Sequence, residues 1–229
     1  MTKVAWIDYL LRAAETAGRL IGQQPVSGTI SMPNLGFTDY LEVVMRAGPP
    51  KASKLAELKH RAPYSPATDF YKGVREAIVE THSQGRAKAY LTAQAAARAT
   101  DARKAAHYPV IAAEHARWWG RKILRWFDPP RATWSSNGVS VAVNPEIGLT
   151  INGTDHVIKL HFKDQPVARH RIAVGLELMG SALATLRPGA VLAILDVRRR
   201  RIHAYAPDPL LPAQLVAESA YIASLWPHL

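Results

Sequence analysis

The sequence predicts an α/β protein, an α+β arrangement with a mixed sheet, whose core runs α-β-β-β-α-β behind a helical N-terminal appendage. Three observations carry that expectation. Asn152-Gly153 joins two apolar runs that both read as strands, and Asn-Gly is the strongest short hairpin signal because a type I′ turn needs positive φ at both central residues. A helical segment over 167–186 separates that hairpin from the apolar run 191–198. Before residue 126 the pattern is helical almost throughout.

Taken in order, residues 4–21 place Val4, Ile7, Leu11, Ala14, Gly18 and Ile21 on one stripe, an amphipathic helix. The Pro-, Gly- and Ser-rich stretch 23–36 reads as loop. Two short helices follow at 38–47 and 51–60, separated by Gly48-Pro49-Pro50. Ser65 to Asp69 offers helix-start chemistry before the next helix. An Ala-rich helix spans 86–107, and Pro109 opens another that reaches Trp126. Strands are expected at 138–144, 146–151 and 156–162, then a helix at 167–186, strands at 191–198 and 201–205, and a last helix at 209–225. The boundary between appendage and core falls near 65, giving an appendage over 1–65 and a core over 66–229, with long helices across 70–126 and strands and helices across 138–225.

Composition narrows the function. The chain of 229 residues is 48% hydrophobic, enough for a core. Its net charge of +11 and pI near 10.1 favour a polyanionic partner, nucleic acid before an anionic membrane surface. Residues 65–137 hold 12 Lys/Arg against 6 Asp/Glu and contribute most of that excess. There is no cysteine, which excludes disulfides, thiolate metal sites and Cys nucleophiles. No apolar run reaches bilayer length, and the first residues lack a signal-peptide layout, so a cytoplasmic protein is expected.

A two-residue Asn-Gly turn fixes the hairpin register. Ile151 then faces Thr154, Leu149 faces His156 and Ile147 faces Ile158, an apolar face extended by Pro145 opposite Leu160 and Val143 opposite Phe162. The other face sets Glu146 across from Lys159, with Asn144 opposite His161 and Ala142 opposite Lys163. A cross-strand ion pair explains Glu146 and Lys159; a metal and phosphate site explains them too.

The element order, with Pro145-Glu146 in one strand and Lys159 in the next, resembles the PD-(D/E)XK nuclease-like superfamily over roughly 105–200. The resemblance implies a restriction-endonuclease-like core, Glu146 as ligand to Mg²⁺ or Mn²⁺, and Lys159 or Lys163 stabilising negative charge. It adds Glu114 as the helix carboxylate and His161 as a further ligand, so that an active protein would be a metal-dependent phosphodiesterase. The acid of the acid-x-Lys motif is absent, since Val157 and His161 stand at the two positions that would carry it. Glu114 has another explanation in helix-surface pairing with Arg117 and Arg121. His115 and His156 read as packed core histidines.

Two basic features point to nucleic acid. Arg117, Arg121 and Arg125 recur every four residues as a ridge with Lys122 beside it. Arg198, Arg199, Arg200 and Arg201 form a turn whose mutual repulsion a polyanion would relieve. Trp118, Trp119, Trp126 and Trp134 are candidates for stacking bases or for filling the core. The expectation is a DNA- or RNA-binding or -processing protein that does not span a membrane. The alternative is a non-catalytic interaction module that grips another protein or a second copy of itself.

Overall fold

The hairpin anchors the architecture. Asn152 and Gly153 hold φ values of 49° and 93°, and the strands on either side, β5 (Ile147–Ile151) and β6 (Thr154–His161), pair antiparallel. Ile147 faces Ile158, Leu149 faces His156 and Ile151 faces Thr154, the expected register. In this computed structural model the described residues are 32–62, 69–165 and 169–229, the side chains of 169–171 excepted. The helix expected over 4–21 and the helix-start residues 65–68 lie outside them.

The described chain is mixed α/β with seven helices and two mixed sheets. The helices are α1 (Phe37–Val44), α2 (Pro49–Lys59), α3 (Lys72–Ser83), α4 (Lys88–Ala97), α5 (Ala102–Trp119), α6 (Arg169–Leu183) and α7 (Leu211–Leu225). The remaining strands are β1 (Asn34–Gly36), β2 (Leu124–Phe127), β3 (Ala132–Ser136), β4 (Val139–Val143), β7 (Val191–Asp196) and β8 (Arg201–Ala204). The larger sheet has the order β2-β5-β6-β7-β8, antiparallel except for β6 with β7. The smaller has the order β1-β4-β3, in which β1 runs parallel to β4.

The larger sheet is buried on both faces, which is why VLAIL in β7 reads as a continuous apolar run rather than an alternating one. Ile147, Leu149, Ile158, Leu160, Ala193 and Leu195 pack with Val74, Ile78, Tyr108 and Ile111 of α3 and α5. Val157, Leu192 and Ile194 face the other way, into a core shared with α1, α6, α7 and β4. Phe37, Tyr40 and Val43 of α1 are fully buried in that second core. Residues 34–59, read from the sequence as appendage, therefore pack as part of the same compact unit, Met32–Leu229.

Three expectations are corrected. The hairpin face does not continue to Val143: pairing in β5 starts at Ile147, and Val143 ends β4 in the smaller sheet, where it faces Ala132. His161 accordingly lies beside Asp196 of β7, not Asn144, and Ala142 lies beside Gly36 and Thr133. The helix assigned to 108–126 begins at Asp101, whose carboxylate caps Lys104 N–H at 2.8 Å, and runs through Pro109. It stops at Gly120, φ 55°, and the chain leaves as β2.

Candidate nucleic-acid interface and the buried polar seam

Alternation along β6 sends Val157, Lys159 and His161 to one face, with Lys163 just beyond the strand. The Lys159 side chain is only 6% exposed. Its ammonium donates to Glu146 Oε1 at 2.5 Å, while Glu146 Oε2 accepts the Leu160 N–H at 2.8 Å. Both carboxylate oxygens are thus committed, one to the partner lysine and one to the strand backbone. The Phe37 ring lies 6.0 Å from the same ammonium and closes the pair from the α1 side. A buried pair of this kind adds little net stability, because desolvation offsets the attraction, yet loss of one partner strands a charge.

Further along the face, Lys163 donates to Glu42 of α1, which also receives Lys54 at 3.0 Å. Burial pushes the Glu42 carboxyl up, but the hydrogen bonds and charges of Lys163 and Lys54 outweigh it and hold it below its ordinary value. Between the two lysines, burial depresses the His161 imidazole, and neighbouring Asp196 pulls it back only in part. His161 Nε2 is buried without a hydrogen-bond partner among the described residues. Asp196 is itself engaged, accepting Arg199 N–H and Arg199 Nη1, each at 3.2 Å.

The donors assigned to a divalent ion do not converge. Glu114 lies on α5, which packs on the opposite face of the larger sheet from Lys159, and it pairs with Arg117 and, at 3.2 Å, with Arg200. It cannot share an ion with Glu146. Each Glu146 oxygen already accepts a donor from the fold, and among the described residues no three His, Asp or Glu side chains are grouped to hold a metal. Mg²⁺ prefers carboxylate and water oxygens in a near-octahedral shell, and this donor set does not fit it.

The arginine turn is also more neutral than its sequence implies. Arg198 donates to Phe162 O at 2.5 Å, reaches His107 Nδ1 at 2.9 Å and pairs with Asp164 at 3.0 Å. Arg199 takes Asp196 and Arg200 takes Glu114. Asp196, Asp164 and Glu114 relieve the repulsion, and Arg201, exposed at the start of β8, is the member with no ion-pair partner among the described residues.

The ridge is not one helix face. Arg117 is on α5, Arg121 is in the turn after Gly120, and Arg125 is on β2, where it faces Thr150. Lys122 donates to Trp118 O and Lys88 donates to Gly120 O at 2.5 Å, so these two cations cap the last carbonyls of α5. Arg121 and Arg125 are exposed and have no ion-pair partner among the described residues. Trp118 is buried, while Trp119, Trp126 and Trp134 are half-buried against the cores.

His115 is packed, against a partner that no local sequence signal marks. His82 Nε2 and His115 Nε2 lie 2.8 Å apart, both buried, with Trp119 on the His82 ring. Burial depresses His82 to about 4; burial, with the neighbouring His82, also holds His115 well below its ordinary value. His156 is half-buried, its Nδ1 2.8 Å from Thr154 O. No helix among the described residues is long and apolar enough to cross a membrane. No family model matches the chain, and neither does any curated protein.

Proposed function

We propose that the chain is a nucleic-acid-binding protein on a restriction-endonuclease-like core, in which Glu146 and Lys159 hold the hairpin together rather than a metal ion. The core assignment is supported by the run α5, β2, β5, β6, α6, β7, an α-β-β-β-α-β order into which β3 and β4 are inserted. The binding assignment rests on one observation. At the end of α5 and the start of β2, Arg121 and Arg125 stay exposed and have no ion-pair partner among the described residues, whereas the cations of the polar seam and most of those in the arginine turn are neutralised by carboxylates. Unpaired surface arginines keep their full charge for phosphates, and counterion release makes such binding strongly salt-dependent. The +11 net charge adds long-range attraction.

Fluorescence anisotropy with short DNA and RNA, single- and double-stranded, across a salt series tests this. Affinity that falls steeply and linearly on a log–log salt plot is expected. Absence of binding at low salt, or self-association that salt leaves unchanged, would favour the protein-interaction alternative.

A further inference from the structure

Ile123 is the most exposed large hydrophobic side chain among the described residues, at 69%. It sits between Arg121 and Arg125, which have no ion-pair partner among the described residues. Its backbone is clamped. The N–H donates to Asn152 Oδ1 at 2.9 Å, and the carbonyl accepts the Asn152 N–H at 3.0 Å. The β2–β5 register pairs Leu124 with Ile151, so the Ile123–Asn152 pair extends that ladder by one step. Strand alternation then puts Ile123 on the same face as Arg125, away from Leu124 and Trp126, which pack on the core. On that face Asp155, across β5 from Arg125 through Thr150, is taken up by Thr150 and Arg187. The hairpin tip thus holds a rigid aliphatic point in a basic surrounding.

We propose that Ile123 is an apolar wedge that enters a base step of nucleic acid while Arg121 and Arg125 take the phosphates flanking that step. The proposal rests on the nucleic-acid reading and names how that edge engages its partner. Wedge residues of this kind, isoleucine among them, partly unstack a base step and kink the duplex. A lipid surface is the other partner that a basic, apolar-tipped turn fits. One isoleucine is small for that purpose, since even a whole acyl chain attaches only reversibly.

A short DNA duplex with 2-aminopurine at a TA step and a donor–acceptor dye pair at its ends reads both unstacking and bending. The wild-type chain is expected to raise the 2-aminopurine emission and shorten the end-to-end distance. Ile123→Ala, at an exposed position, should abolish both signals and weaken binding about tenfold while leaving the salt slope unchanged. Arg121→Ala with Arg125→Ala should flatten the slope instead. If Ile123→Ala binds and unstacks like the wild type, the wedge is wrong and nucleic-acid binding stands. If the wild type binds no duplex at low salt, the wedge falls, and if it binds no single-stranded DNA or RNA either, the nucleic-acid reading falls with it. If it binds phosphatidylserine vesicles in an Ile123-dependent way and not the duplex, the partner is a membrane surface and the proposal is overturned.

Discussion

Lys159 and Arg125 lie on strands of one sheet, separated by β5, and they hold opposite electrostatic positions. Lys159 is buried and touches a carboxylate, each of whose oxygens already holds a donor from the fold. Arg125 is exposed and pairs with no carboxylate among the described residues. The same pattern separates the polar seam above β6 from the edge formed by the end of α5 and β2. In the seam, positive and negative side chains alternate and close on one another: Lys159 with Glu146, Lys163 with Glu42, Arg199 with Asp196. At the edge, cations cap a helix and two are left over. Charge density along the sequence therefore says less about a binding surface than which charges the fold has already neutralised.

The largest effect expected from breaking this contrast is at Glu146. Glu146→Gln removes the carboxylate and leaves the Lys159 ammonium buried beside Phe37, so urea or thermal unfolding should show a loss of about 3–5 kcal/mol. Lys159→Met in the same background should restore most of it, because an apolar side chain of similar length needs no counter-charge. Two equally stable single and double variants would mean that the pair is solvated and the seam is open.

The next effect concerns pH. A histidine depressed to about 4 in the fold and near 6.5 when unfolded takes up its proton preferentially in the unfolded chain between those values. Stability contributed by keeping His82 neutral is fully present above about 6.5 and is lost as pH falls toward 4. The total is about 3 kcal/mol, since a tenfold difference in proton affinity corresponds to about 1.4 kcal/mol. His82→Leu combined with His115→Leu should flatten that acid limb in unfolding measured from pH 7 to pH 4. A limb unchanged in the double variant would place the titrating group elsewhere.

A smaller loss is expected at the join between the two regions. A Cβ on Gly148 would stand 2.4 Å from Phe127 O, a backbone atom of β2 that cannot rotate away. Gly148→Ala should destabilise by about 1–3 kcal/mol, read by denaturant midpoint, and should weaken nucleic-acid binding by displacing β2. Normal stability would show that β2 is free to shift along β5.

The two Asn-Gly turns show how far the sequence can be followed. Asn152-Gly153 sits between long apolar runs, and its register can be derived pair by pair. Asn137-Gly138 adopts the same positive φ pair, at 50° and 75°, and joins β3 to β4. It gives a weaker signal because β3, ATWSS, is short and polar and its apolar alternation is slight. The run RKILRWF reads as helix because Trp118, Lys122 and Trp126 fit a spacing of four. Leu124 and Trp126 also fit a spacing of two, and short runs do not separate the periods. Gly120 is the available stop signal. Within the seam, Glu146 and Lys159 are legible because one turn relates them. Glu42 and Asp196 are not: Glu42 meets Lys163 across 121 residues of chain, and no local pattern encodes such a meeting.

The central contrast is tested most directly by one salt titration of nucleic-acid binding on three proteins: the wild type, Arg121→Ala with Arg125→Ala, and Glu146→Gln with Lys159→Met. The slope of log affinity against log salt should flatten by about two units in the arginine variant, close to one unit for each phosphate that no longer meets an arginine. It should stay at the wild-type value in the seam variant, whose two charges cancel inside the fold. A slope unchanged by loss of the arginines, or flattened by loss of the buried pair, would contradict the assignment of binding to the edge and of structure to the seam.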